Sequence, residues 1–171
     1  EHLTNLYVSP NINLTFDELK TTSDASASMK KQAGNFTELT FGYGIEKDNR
    51  DRPFMPTSGS IVSFNQELPL YSDQASIYNA IHYTKYHLFT ENVIGALKFY
   101  GANVFAVEDD VRLSKRLHIP SRRLRGFESH KVGPKDGADY VGGNYATALN
   151  FEAALPNLLP ESTQTDIGIF M

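Results

Sequence analysis

The stretch TELTFGYGIE, residues 37–46, decides the fold class because apolar and polar positions alternate along it. Leu39, Phe41 and Tyr43 would share one face of an extended chain, and Thr40 and Glu46 would share the other. Side chains of a β-strand point alternately to its two faces, so a period of two is typical of a strand with one apolar face. The stretch therefore predicts a β-strand that separates two unlike environments.

The same alternation recurs on both sides of this stretch and predicts about seven strands in an all-β, antiparallel fold. The polar segment 16–33 predicts a loop with a short helical turn. Several strands reach nine or more residues, a length that crosses a bilayer when the strand is tilted. Alternation alone leaves two readings open: a soluble β-sandwich or barrel, and a transmembrane β-barrel. The further strands are expected in residues 5–14, 62–68, 75–88, 93–105, 143–155 and 167–171.

Composition excludes several classes of function. The 171 residues carry a net charge of −4, which gives no support to nucleic-acid binding, and the absence of cysteine excludes disulfides and thiolate metal sites. No apolar run approaches the length of a transmembrane helix. The five histidines lack metal-ligand spacing, and no nucleophile motif or phosphate-binding loop is present. The sequence therefore predicts no enzyme activity, no metal and no cofactor.

One long segment, LHIPSRRLRGFESHKVGPKDGADYVGGN (117–144), interrupts the strands and is too long for a simple turn. Arg125 lies in it between Leu124 and the pair Gly126-Phe127, where glycine permits a sharp bend. A guanidinium group presents a fixed fork of donors that suits a carboxylate. Glu152, on the polar face of the next strand, is the expected partner, whereas Arg122 and Arg123 are expected to be solvated.

Four short motifs in fixed order give this chain a family resemblance. Together they resemble the Omp85 superfamily and, within it, the BamA family of bacterial outer-membrane assembly factors. The hairpin RDRPFMPTSG (50–59) and the beginning of a strand in TDIGIFM (165–171) accompany them. The motifs are LRGF (124–127, with Arg125, Gly126 and Phe127), VGP (Val132, Gly133, Pro134), VGGN (141–144, with Gly142, Gly143 and Asn144) and FEAALP (151–156, with Glu152).

The resemblance implies a barrel of roughly sixteen antiparallel strands, preceded by POTRA domains. Residues 1–171 would form part of that barrel domain, with the POTRA domains and the closing strands outside this chain. The long segment would be the sixth extracellular loop, directed into the lumen, where Arg125 pairs with Glu152. A second acidic partner, the aspartate of the strand that TDIGIFM begins, is expected directly after Met171 and so outside residues 1–171.

The resemblance also implies a function: folding and inserting β-barrel proteins into the outer membrane of a Gram-negative bacterium. The implied partners are unfolded outer-membrane clients, accessory assembly lipoproteins and outer-membrane lipid. A two-partner secretion transporter of the same superfamily, which shares an arginine-glycine-aromatic loop, is one alternative, and a soluble β-sandwich binding module is another. An isolated piece of this wall is expected to self-associate through its exposed sheet edges.

Overall fold

The computed structural model describes residues 4–108, 110–156, 158 and 167–171. Seven strands form one antiparallel sheet in the order β1-β2-β3-β4-β5-β8-β9, and a two-stranded hairpin, β6-β7, lies apart from it. The prediction of an all-β antiparallel fold with about seven strands is confirmed. The strands are β1 (Leu6–Leu19), β2 (Gly34–Asp48), β3 (Gly59–Ser72), β4 (Ser76–Thr90), β5 (Val93–Ala106), β6 (Lys135–Asp136), β7 (Asp139–Tyr140), β8 (Tyr145–Leu155) and β9 (Ile167–Phe170).

The first five strands are 14 or 15 residues long, well beyond the usual five or six of soluble domains. At about 3.3 Å per residue, strands of that length cross a bilayer even when strongly tilted. The described strands form one extended sheet rather than two sheets packed face to face. The soluble β-sandwich alternative is therefore wrong.

The strand register gives the sheet two distinct faces. The inner face is buried under the long connection 107–144 and has small or polar side chains, including Thr40, Ala80, Ala102 and Ala146. The outer face carries exposed apolar residues. Because the register shifts in only two places between neighbouring main strands, the period-two pattern holds across most of the wall. The outer-face side chains include Leu149, Phe151 and Phe99.

A row of hydrogen-bonded polar side chains crosses the outer face among its apolar residues. The hydroxyl of Tyr43 donates to Gln66 Oε1 at 2.8 Å, and Gln66 Nε2 donates to Asn79 Oδ1 at 2.5 Å. Asn79 Nδ2 in turn donates to Asn103 Oδ1 at 3.0 Å. These four residues lie on four consecutive strands, so each amide finds its partner on the neighbouring strand.

The boundary expected after residue 14 is wrong, because β1 continues to Leu19. Residues Thr15 to Leu19 pair in register with Gly34 to Glu38 of β2, and this cross-strand pairing outweighs their polar character. The expected short helical turn is present as α1 (Ala27–Lys31). Pro10 is accommodated because β1 is an edge strand of the described sheet.

The connections divide between the two ends of the sheet. The hairpin 49–58 and the turn 91–92 lie at one end, and the segments 20–33, 73–75 and 107–144 lie at the other. Within the last segment, a 3-10 helix covers Leu113–Lys115. None of the described helices is long and apolar enough to cross a membrane.

Candidate functional site

The long connection 107–144, hereafter the inner loop, lies against the inner face of the sheet. Leu117 and Ile119 pack on the largest buried apolar cluster of the described residues, formed by β4, β5 and β8. Four of the five residues in that cluster are alanines, whose small side chains leave space for the loop above the wall. The inner position expected for this loop is confirmed. The cluster consists of Ala80, Tyr100, Ala102, Ala146 and Ala148.

The stem of the inner loop crosses from β5 to the far edge of the sheet. The Arg112 side chain is 4% exposed and forms an ion pair with Asp17 of β1. Its guanidinium carbon lies 4.1 Å from the ring centroid of Phe36, and it donates to Ser114 Oγ at 2.8 Å. A buried guanidinium requires such partners, because its desolvation is costly when it is unpaired.

A second ion pair secures the stem one helical turn later. Lys115 pairs with Glu38, a carboxylate on the inner face of β2 that is almost fully buried. The backbone N–H of Leu113 donates to Gln32 Oε1 at 2.7 Å, which connects the stem to the segment between β1 and β2. The stem is therefore held by side chains on β1 and β2 and on the segment that joins them.

The returning half of the inner loop docks on α1. Asp139 Oδ2 accepts from the Ser26 N–H at 2.9 Å, and Asp136 Oδ2 accepts from the Ser28 N–H at 3.1 Å. The Ser28 hydroxyl also donates to Asp136, and these bonds lower the pKa of Asp136 below its usual range. The β6-β7 hairpin is thus fixed to α1 and to the residue that precedes it, at the same end of the sheet.

Sequence reasoning missed the residues that hold the stem: Asp17, Arg112 and Lys115. Glu38 was recognised only as a member of a polar face. The partners in the Arg112–Asp17 contact are 95 positions apart, and no local spacing indicates such a pair. The one signal in the sequence for a partner of the stem was Glu38, a charged residue on the face that the alternation predicts to be polar.

Arg125 lies beside Glu152 on the wall. Its Nη2 lies 3.5 Å from Glu152 Oε1, with side chains 45% and 25% exposed respectively. Its guanidinium carbon lies 4.5 Å from the ring centroid of Phe170, which pairs directly with Glu152 across β8 and β9. The structure thus brings Arg125 and Glu152 together and adds an aromatic ring as a third partner.

Glu152 has a second cationic partner that sequence reasoning missed. Lys98 Nζ lies 2.6 Å from Glu152 Oε2. Lys98 pairs with Asn150 in the β5–β8 register, so it lies diagonally opposite Glu152 on the same face. The weak alternation of residues 93–105 concealed this position, although Lys98 keeps a period of two with Tyr100 and Ala102.

The expectation that Arg123 is solvated is wrong. Its guanidinium carbon lies 3.8 Å from the ring centroid of Tyr100, and Nη2 lies 2.9 Å from His82 Nδ1. Burial lowers the pKa of Arg123, and the positive charge of Arg122 adds to the effect. The planar guanidinium stacks on an aromatic ring at low desolvation cost, which explains why it leaves water. Arg122 is exposed, as expected.

The remaining residues of the RGF motif occupy the tip of the loop. Gly126 has φ +85°, a left-handed conformation, and no atom lies within 4 Å of the position a Cβ would take. The glycine therefore serves the bend rather than a close approach. Phe127 is 57% exposed, and the ring beside Arg125 belongs to Phe170 instead.

The VGP and VGGN motifs lie together at the base of the returning half. The Pro134 carbonyl accepts from the Val141 N–H at 3.0 Å, and Gly143 exchanges two backbone hydrogen bonds with Leu117, at 2.7 and 3.0 Å. The Asn144 carbonyl accepts from the Val104 N–H at 2.9 Å. These contacts close the loop where it rejoins the wall. The other motif residues are Val132, which is half-buried, and Gly133 and Gly142, which have positive φ.

A cavity of about 250 Å³ opens between the inner loop and the wall. Its charged side chains are four cations and one carboxylate. A site with this excess of positive charge attracts carboxylates and other anions. Its lining comprises His82, Thr84, Lys98, Phe99, Tyr100, Arg122, Arg123, Arg125, Asn150 and Glu152.

The hairpin between β2 and β3, at the opposite end of the sheet, is built around Asp51. Its carboxylate accepts from the hydroxyl of Thr57 at 2.7 Å and from the N–H groups of Thr57 and Ser58 at 3.0 and 3.1 Å. These bonds, chiefly that of the Thr57 hydroxyl, lower the pKa of Asp51 to about 2. Gly59 has φ +93°, and a Cβ there would lie 2.1 Å from the Asn49 carbonyl oxygen. The PTSG motif thus has a structural basis.

The Omp85 superfamily domain model matches residues 2–170. The chain belongs to the Omp85 superfamily. The inner loop with its RGF tip and the carboxylate on the facing strand lie in the part of the chain that the Omp85 model covers.

Curated relatives of this Omp85 chain are eukaryotic. It is 24% identical over 138 residues to the human sorting and assembly machinery component 50 homolog, covering 77% of this chain and 29% of the human protein. It is 27% identical over 150 residues to a SAM50-like protein of Schizosaccharomyces pombe, covering 79% and 30% of the two chains. The chain thus spans about a third of the length of these relatives.

A solved structure shares the fold of this Omp85 chain. The crystal structure of BamA from Haemophilus ducreyi lacking POTRA domains 1–3 superposes with a TM-score of 0.83 at 17% sequence identity. The match covers 97% of this chain and 38% of the BamA chain. At this identity the likeness establishes the fold alone, which is a piece of a β-barrel wall.

Proposed function

We propose that this chain is part of a factor that folds and inserts β-barrel proteins into an outer membrane. The observation that carries the proposal is the inner loop, whose Arg125 lies beside Glu152 on the wall. Membership of the Omp85 superfamily supports it, as do relatives named as sorting and assembly components. The proposed activity involves no chemical reaction and no catalytic residue.

The physical task is the transfer of strands into hydrocarbon without leaving backbone donors and acceptors bare. A sheet edge of the complete barrel can pair with a client strand and so satisfy those groups during insertion. In this proposal the described strands form the stable wall. The seam that receives the client, the POTRA domains and the closing strands belong to the parent protein outside residues 1–171.

We propose that the ion pair between Arg125 and Glu152 contributes to fixing the inner loop to the wall. Gly126 supplies the bend that presents Arg125, and Phe127 flanks it on the exposed side of the tip. The backbone bonds of Pro134 and Gly143 close the base of the loop. In the same proposal, Val132, Gly133, Gly142 and Asn144 shape that base.

The proposed partners are unfolded outer-membrane proteins, accessory assembly lipoproteins and outer-membrane lipid. The exposed apolar side chains of the outer face, among them Leu149 and Phe151, support the contact with lipid. We place the parent in the outer membrane of a Gram-negative bacterium, supported by the fold shared with a bacterial BamA. Fractionation of the tagged parent with an organelle of a eukaryotic cell would contradict this placement.

The deciding experiment reconstitutes the full-length parent in liposomes and follows the folding of an unfolded barrel protein by its heat-modifiable migration. Arg125→Ala is expected to slow client folding by up to about fivefold, because the ion pair that it removes is partly exposed and is worth less than about 1 kcal/mol. Arg122→Ala is the matched control, because Arg122 is three positions away and exposed. Equal rates for the two variants would remove the ion pair as part of the function, and no client folding by the unmodified parent would overturn the function itself.

The second candidate is a two-partner secretion transporter, which exports one cognate protein instead of assembling barrels. The RGF tip of the inner loop supports this candidate, because that class of transporter shares an arginine-glycine-aromatic loop. A deletion of the parent distinguishes the two functions. Loss of many different outer-membrane proteins supports the assembly factor, whereas loss of one secreted protein supports the transporter.

A further inference from the structure

Arg123 makes contacts that the ion pair of Arg125 does not share. Its guanidinium carbon lies 3.8 Å from the ring centroid of Tyr100 on β5, and its Nη2 reaches His82 Nδ1 on β4. The rings of His82 and Tyr100 are themselves packed, with centroids 5.0 Å apart. Arg125, in contrast, lies beside Glu152 on β8 and Phe170 on β9.

We propose that Arg123 is a second positioning residue of the inner loop, and that its contact with the wall requires an unprotonated Nδ1 on His82. The inference does not depend on barrel assembly, because it concerns only where the loop lies. A single contact between two bodies leaves the loop free to turn about that point. Contacts on two different strand pairs, at Arg123 and Arg125, fix its rotation as well as its position.

The burial of the two arginines indicates which contact is stronger. Arg125 is 45% exposed and its nearest carboxylate oxygen is 3.5 Å away, so water and salt screen that ion pair. Arg123 is half-buried, and its charge faces the ring of a tyrosine that is itself buried. Cation–π contacts gain strength when the cation is desolvated. We therefore assign the larger share of loop docking to Arg123.

The chemistry of the Arg123–His82 contact makes it sensitive to pH. A guanidinium group can only donate hydrogen bonds, so Nδ1 of His82 must be the acceptor and carry no proton. A protonated imidazole offers two donors and a positive charge, which would oppose Arg123 at 2.9 Å. The charged and titratable groups that share the two cavities flanking His82 are Lys98, Tyr100, Arg122, Arg125 and Glu152 on one side and Tyr7 and Glu46 on the other.

The test measures loop position directly in the full-length parent in detergent. Spin labels on Glu128→Cys in the loop and Thr147→Cys on β8 report the loop-to-wall distance, and residues 1–171 contain no native cysteine. Arg123→Ala is expected to raise the undocked fraction about tenfold. Tyr100→Phe, which keeps the ring, and Arg122→Ala, which leaves the contact intact, are expected to retain the docked distance.

The pH arm compares the unmodified parent with His82→Gln between pH 8 and pH 5. The parent is expected to lose the docked distance as the pH falls, whereas the glutamine oxygen accepts from Arg123 at every pH and should keep it. A docked loop in Arg123→Ala, or the same pH response in His82→Gln as in the parent, would overturn the proposal. If the unmodified parent keeps its loop docked but folds no client protein, that result would count against the proposed function and not against this contact.

Discussion

Lys98 Nζ lies 2.6 Å from Glu152 Oε2, closer than the 3.5 Å between Arg125 and the other oxygen of the same carboxylate. Glu152 is therefore the common partner of two cations, one from the wall and one from the loop. Removal of either cation leaves the carboxylate paired. Removal of the carboxylate leaves two positive charges facing each other without compensation.

Glu152→Gln is therefore expected to destabilise the parent barrel more than Arg125→Ala does. The neutral amide leaves Lys98 and Arg125 unpaired at a partly buried site, at a cost of about 1–3 kcal/mol. Arg125→Ala removes one partly exposed pair and should cost less than about 1 kcal/mol. Urea unfolding followed by far-ultraviolet circular dichroism measures the free energy of unfolding of both variants. The reverse order of the two losses would contradict the description of Glu152 as a shared partner.

Arg112→Ala is expected to be the most destabilising single substitution of an inner-loop cation, by about 3 kcal/mol. It removes a buried guanidinium, its ion pair with Asp17 and its stacking on Phe36. Arg122→Ala, the exposed control, should change the free energy of unfolding by less than about 0.5 kcal/mol. The same unfolding experiment applies, and similar values for the two variants would show that the stem is not fixed through Arg112.

Gly59, where the hairpin between β2 and β3 joins β3, and Gly126, at the tip of the inner loop, have similar φ and form a matched pair of test positions. Gly59→Ala places a Cβ 2.1 Å from the Asn49 carbonyl and should cost more than about 2 kcal/mol. Gly126→Ala carries a comparable backbone strain with no atom in the way, and about 1 kcal/mol is expected. Thermal unfolding of the two variants under identical conditions tests this difference in stability. Equal losses of stability would show that the hairpin rearranges around the added methyl group.

The low pKa of Asp51, about 2, predicts the pH range over which the hairpin keeps its structure. A carboxyl whose pKa is lower in the folded state contributes stability that is fully present above its unfolded value, about 4. That stability is lost as the pH falls from about 4 through about 2. Amide chemical shifts of Thr57 and Ser58 should follow this titration, and in Asp51→Asn both signals should be insensitive to pH in that range. A midpoint near 4 would show that the Thr57 bonds do not form.

The alternation of residues predicted the strands, their faces and the inner position of Glu152, because side-chain direction in a strand depends only on local sequence. It did not predict where β1 ends, since pairing with β2 holds the polar residues Thr15, Asp17 and Glu18 in the sheet. It also missed Arg112, Lys98 and Arg123. A period of two assigns a face to each residue of a strand, but the partner on that face depends on the strand order and register. A loop residue has no such period, so its partner depends on the path of the loop.

The path of the inner loop has a consequence for the order of folding. Its stem leaves β5, contacts β1 and β2 near the other edge of the sheet, and returns to β8. Contacts between residues that distant in sequence carry a large loop-closure entropy and form slowly. The binding surfaces for the loop exist only after β1, β2, β4, β5 and β8 have paired. We therefore expect the loop to dock only after the strands beneath it have paired, so that a docked loop reports a complete wall.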